Sequence, residues 1–153
     1  MTVYFCDSSA LVKCYVQEHG SAWTRTLLDP MAGHHLYLAS ITGVEVIAAM
    51  TRRLRRGDMT AADGAAAVAQ FRQDFTQRYR LIDLTPPLVA RAMTLAETRS
   101  LRGYDAVQLA TAVEIHVRGL TLGLPALTLV SADGELNVAA QAEGLIIEDP
   151  NTH

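Results

Sequence analysis

Four acidic residues stand in apolar sequence where a strand would end or a helix begin: Asp7 in VYFCDSSAL, Glu45 in ASITGVEV, Asp105 in RGYDAVQLA and Asp133 in TLVSADGEL. A carboxylate in such surroundings loses hydration and resists ionisation unless something compensates it. Singly, each has a plain structural explanation: an acid in a helix's first turn caps free N–H groups and gains about 0.3–1 kcal/mol from the helix dipole. Together they ask for more. Two carboxylates about 4 Å apart repel by about 4 kcal/mol at an effective dielectric near 20, a cost removed by protonation or by a bridging divalent cation. Donors that are all oxygen favour Mg2+ or Mn2+ over zinc. The chemistry open to such a site is activation of a bound water by the ion. Asp133 would position the water or help hold a second ion. Ser8, Ser9, Ser131 and Asn137 would hold the acids and water by hydrogen bonds.

The elements that must bring these acids together are legible as a pattern. TVYFC (2–6), HLYLAS (35–40), RLIDL (80–84), ALTLVSAD (126–133) and LIIE (145–148) read as short strands. Between them the spacing predicts helices over 8–17, 21–29, 42–56, 60–79, 85–99, 104–117 and 134–144. Thr85 is the expected cap of its helix, with Pro86 and Pro87 in a first turn where a missing N–H costs nothing. The helix from residue 104 is apolar around most of its circumference and is expected to be buried. Alternating strands and helices imply a mainly parallel sheet covered on both faces, an α/β fold. In such a sheet sites form beyond the carboxyl ends of the strands, where strand order reverses. No repeat or linker divides the chain, so residues 1–153 are expected to form one domain, with the helix pair around RRLRRGDMT (52–60) protruding.

Composition narrows the function classes. The chain is 50% hydrophobic, 19% charged and carries a formal charge of −3, from 13 basic and 16 acidic residues. Whole-molecule attraction to nucleic acid or anionic lipid is excluded, so any nucleic-acid contact must use a local basic patch. TRRLRRG supplies the candidate. Arg52 and Arg56 would meet an RNA backbone, or else simply sit in solvent at the helix's negative end. No apolar run approaches the ~20 residues of a membrane helix, and MTVYFCD lacks a basic leader and cleavage site, which predicts a cytoplasmic protein. Cys6 and Cys14 match no zinc spacing and are expected as reduced thiols. Trp23 is expected to anchor a core or interface, and the histidines lack ligand spacing. Gln108, one turn beyond Asp105, would reach the site.

DSSALVK, ITGVEV, YDAVQLATA and LVSADGELNVAAQAEGL, in that order over Val3 to Ile147, resemble the PIN domain, and more narrowly the VapC-type toxins of type II toxin–antitoxin pairs. The resemblance implies a three-layer α/β/α fold and a Mg2+- or Mn2+-dependent endoribonuclease that leaves a 5′-phosphate and a 3′-hydroxyl. It maps the family's acids onto Asp7, Glu45, Asp105 and Asp133. It also implies a homodimer, and an antitoxin whose C-terminal segment inserts an arginine among the acids. Two departures stand out. The GLTLGLP segment (119–125) lengthens the interval before Asp133, and Asn137 occupies a position where some relatives carry another acid.

Rival readings remain. A phosphatase or phosphotransferase using Asp7 as nucleophile commonly needs a second acid two residues on, where this chain has Ser9. A receiver-like domain would take Asp83 as phosphoacceptor but wants a late lysine, and the sole lysine is Lys13. A catalytically silent PIN-like domain kept for partner or RNA binding is the non-enzymatic alternative. GxxxxGK[ST] and GxGxxG are both absent.

Overall fold

β1 (Val3–Cys6) lies at the middle of a five-stranded sheet whose order is β3-β2-β1-β4-β5, with β2 at His35–Ala39, β3 at Arg80–Ile82, β4 at Leu127–Val130 and β5 at Ile146–Glu148. All four pairings are parallel. The computed structural model describes residues 1–153. Because every strand is parallel to its neighbours, each connection must cross back over a face of the sheet. The helices that do so are α1 (Ser8–Leu11), α2 (Ser21–Leu27), α3 (Thr42–Arg55), α4 (Ala61–Gln77), α5 (Pro86–Arg99), α6 (Gly103–Thr121) and α7 (Gly134–Ala142).

The period-2 alternation of the strands divides the core in two. Val3, Phe5, Leu127 and Leu129 point into a cluster completed by Leu88, Leu95, Leu109 and Leu136 from α5, α6 and α7. Cys6, Leu36, Leu38 and Val130 point the other way, onto Leu11, Val46, Met50 and Phe71 from the α1–α4 side. The expected three layers are therefore present. Strand order reverses beside β1, because the chain visits β2 and β3 on one side before crossing to β4 on the other. The carboxyl ends of β1 and β4 flank that reversal, and α3, α6 and α7 carry Glu45, Asp105 and Asp133 at their N-terminal ends.

Two elements differ from expectation. The helix expected over 8–17 holds α geometry only to Leu11, tightens to a 3-10 turn over Val12–Cys14 and stops. Buried Lys13 explains the stop: its Nζ donates to the His19 carbonyl at 2.8 Å and to Glu18 at 3.3 Å, folding the following loop back over the turn. The helix expected to be buried over 104–117 runs on to Thr121, and only its first part is covered; Val117, Leu120 and Leu122 are exposed. Elsewhere the signals hold. Thr85 caps α5 and Thr60 caps α4, while Trp23 stacks on His153 with ring centroids 4.1 Å apart. Gly20 has a positive φ and lies so close to the Pro150 carbonyl that no side chain fits, which pins the C-terminal turn against the start of α2.

Candidate active site

Asp7 follows β1 and caps α1, its Oδ1 accepting from the Ala10 amide at 3.0 Å. The Ser9 hydroxyl lies 2.7 and 2.8 Å from the two Asp7 oxygens and donates into the carboxylate. Ser9 also accepts from the Ala132 amide at 2.9 Å, so one hydroxyl joins the ends of β1 and β4. Asp7 is only 4% exposed. Burial raises its pKa from 3.8 to about 7; the hydrogen bonds from Ser9 and Ala10 oppose the shift and the charge of Glu45 adds to it. Near neutral pH this carboxyl is therefore poised between its two protonation states.

Glu45 faces it from the first turn of α3. Ser8 donates to Oε2 at 2.6 Å, and Gln108 donates through Nε2 to Oε1 at 2.9 Å and to Thr42 Oγ1 at 2.9 Å. Gln108 is 1% exposed. Both partners of its nitrogen are acceptors, which fixes the amide orientation and leaves Oε1 buried without a donor.

Asp105 and Asp133 form a second pair, joined by Arg102. The guanidinium reaches Asp105 Oδ2 through Nε and Asp133 Oδ2 through Nη2, each at 3.1 Å. Partial burial and the charge of Asp133 push the Asp105 pKa up, against the pull of Arg102. The other Asp133 oxygen caps α7 by accepting from the Leu136 amide at 3.0 Å. Ser131 Oγ accepts from the Asp133 amide at 3.1 Å, and Asn137 Nδ2 donates to the Ser131 carbonyl at 2.9 Å. Ser131 and Asn137 thus brace the loop that carries Asp133, while Asn137 Oδ1 is left buried and unpaired.

The acids stand as two pairs rather than one cage. No three His, Cys, Asp or Glu side chains are close enough to hold a metal ion in this arrangement. The donor set nonetheless fits a hard divalent ion on two observations. Asp7 is a buried acid whose ionisation no neighbouring cation supports. Between Asp105 and Asp133 a positive charge is already held, by an arginine whose side chain is 73% exposed.

Beside Ser8, Ser9 and Glu45 a groove of about 550 Å3 opens, walled by Lys13, Arg52 and Tyr104 among others. Arg52 therefore stands at the site, but Arg56 does not line it and pairs with Asp58 at 3.7 Å. Arg53 is held by Glu18 through two bonds of 3.1 and 2.8 Å.

The PIN domain family model matches residues 4–141, most of the chain. The chain belongs to the PIN-domain family. Among its relatives are two Mycobacterium tuberculosis proteins, the ribonucleases VapC45 of strain CDC 1551 and VapC49 of strain H37Rv. Each is 36% identical over 143 residues, covering 93% of this PIN domain and 91% of the relative. The same fold appears in the crystal structure of PAE2754 from Pyrobaculum aerophilum, with a TM-score of 0.64 at 24% identity over 99% of this chain and 92% of that one. VapC20 of Mycobacterium tuberculosis, a sarcin–ricin-loop-cleaving toxin, shares the fold at a TM-score of 0.58 and 17% identity, covering 89% of this chain and 94% of its own.

Sequence reading missed Arg102 and Thr42. Arg102 stands three residues before Asp105, a spacing that signals the local pair, but its bond to Asp133 spans 31 residues and leaves no periodic trace.

Proposed function

We propose that this PIN domain, as one domain over residues 1–153, is a Mg2+- or Mn2+-dependent endoribonuclease and the toxin of a type II toxin–antitoxin pair. The observation that carries the reading is the joint placement of Asp7, Glu45, Asp105 and Asp133 beyond the carboxyl ends of β1 and β4, next to a groove bearing an unpaired arginine. Similarity to the two VapC ribonucleases supports RNA as substrate.

Asp7 and Glu45, with Asp105 and Asp133, would hold the divalent ion. When bound, it would supply Lewis acidity toward a phosphate oxygen and make an attacking water more acidic. The protein's part is positional. Ser9 fixes the plane of the Asp7 carboxylate, and Ser8 and Gln108 clamp Glu45 from both sides. Such fixed acids need no reorganisation as charge develops on the phosphate. Arg102 bridges Asp105 and Asp133, and would have to give way for a cation to be held by both. The rival use of Asp7 as a nucleophile is disfavoured, because such sites commonly need a second acid two residues on, where this chain has Ser9.

By the same likeness the chain is read as a cytoplasmic homodimer restrained by an antitoxin that presents an arginine to the acids. No helix is long and apolar enough to cross a membrane. The test is cleavage of single-stranded RNA with Mn2+, with chelator, and by Asp105→Asn. Cleavage that needs the ion and vanishes in the folded variant is expected. Full activity in chelator, or in Asp105→Asn, refutes the reading.

A further inference from the structure

Nine residues of this chain are phenylalanine, tyrosine or tryptophan. Eight of them are buried or partly buried, and Tyr104 alone is exposed, at 59%. It is the second residue of α6, directly before Asp105, and it lines the groove that also contains Ser8, Ser9, Glu45 and Arg52. Its neighbours give it no ring partner, whereas Tyr4, Tyr15, Trp23, Phe71 and Phe75 are each packed against another ring. A chain that covers every other aromatic leaves this one bare at the mouth of its acidic pocket.

The cations along the groove are not equivalent. Glu18 compensates both Lys13 and Arg53, and the His19 carbonyl takes a further Lys13 proton. Arg52 is exposed and has no carboxylate within ion-pair distance. An accessible ring and a free guanidinium on one groove form the pair of contacts that single-stranded nucleic acid uses: a flat face for a base and a charge for the backbone. An aromatic face accepts any base, but only one already out of its helix, so this pairing discriminates against duplex.

Resting on the ribonuclease reading, we infer that Tyr104 is a stacking platform for a base next to the cleaved phosphate, with Arg52 taking a neighbouring backbone phosphate. At this position the contact is held by stacking and charge, with little sequence readout.

The inference is tested by binding rather than turnover. An end-labelled mixed-sequence RNA octamer is titrated by fluorescence anisotropy in chelator against the parent protein, Tyr104→Ala, Tyr104→Phe and Arg52→Ala. A second series scans one abasic nucleotide along the octamer. Tyr104→Ala should weaken binding by about 10-fold, Tyr104→Phe should bind as the parent does, and one abasic position should erase the Tyr104→Ala effect. Arg52→Ala should lower the slope of log K against log salt by about 0.7. A matching duplex should compete poorly. Equal affinity of parent and Tyr104→Ala, or a loss that no abasic position removes, overturns the inference. So does a Tyr104→Ala variant that keeps RNA affinity but loosens self-association on a sizing column, which would place the ring between copies of the chain. If the parent cleaves RNA while Tyr104→Ala binds normally, only this inference falls; if the parent neither binds nor cleaves RNA, the functional reading falls with it.

Discussion

Replacing Asp7 by asparagine should make the metal-free protein more stable at alkaline pH while removing its activity. Asp7 is an acid whose folded pKa, about 7, exceeds its ordinary 3.8 because burial penalises the charge. An acid raised in this way works against folding once ionised. Its penalty is absent below the unfolded value, grows as pH rises through the interval between the two, and is complete above the folded value. Linkage across that interval gives a penalty on the order of a few kcal/mol, smaller at pH 5 and nearly complete at pH 8. Asparagine carries no such charge and keeps the carbonyl that caps Ala10. It gives up one of the two oxygens facing Ser9, at a cost of about 1 kcal/mol that does not vary with pH. Urea unfolding in chelator at pH 5, 6, 7 and 8 reads the difference directly. The parent should lose stability steadily across the series relative to Asp7→Asn, by on the order of a few kcal/mol in all. A pH-independent difference between the two proteins, or one growing toward acid, refutes the reasoning that burial rather than an unseen partner sets this carboxyl.

Other outcomes follow from the same geometry. Arg102→Ala should lower the Mn2+ concentration needed for half-maximal thermal stabilisation, because the guanidinium competes for Asp105 and Asp133; a higher requirement would mean that it organises the pair instead. Gln108→Leu should cut cleavage roughly 10-fold if Glu45 is a metal ligand that Gln108 orients; the substitution removes a buried unpaired oxygen but also the donor to Glu45 and Thr42. Retained activity would show that Ser8 alone orients Glu45. Gly20→Ala should cost on the order of 2 kcal/mol in urea unfolding, since the backbone there is left-handed and the Pro150 carbonyl blocks a side chain. A neutral result would mean that the C-terminal turn moves aside freely.

Much of the architecture was open to reading because it rests on local signals. Strand alternation, the Thr60 and Thr85 caps and the paired prolines of α5 all act within a few residues. The first helix misled because its Ala-Leu-Val run looks helical, while the turn is ended by a tertiary hydrogen bond from Lys13 to a carbonyl six residues on. The exposed end of α6 misled because apolar periodicity does not say how far the neighbouring layer extends. At the site, residue type and apolar context pointed to the four acids; Ser8 donates to Glu45 and Ser131 accepts from the Asp133 amide. The partition into two pairs was not legible. It depends on where one arginine side chain comes to rest, and on a glutamine whose partner Glu45 lies 63 residues away.

The shared orientation of α3, α6 and α7, whose amino ends all carry site acids, has a practical corollary for anyone choosing an inactive control. Peptide dipoles make each of those ends electropositive, and the carboxylates are what mask them. Amidating all the acids would unmask that field beside Arg52 and make the pocket more attractive to polyanions. On the ribonuclease reading such a protein would be a decoy rather than a blank, and any phenotype it produced would report occupancy, not catalysis.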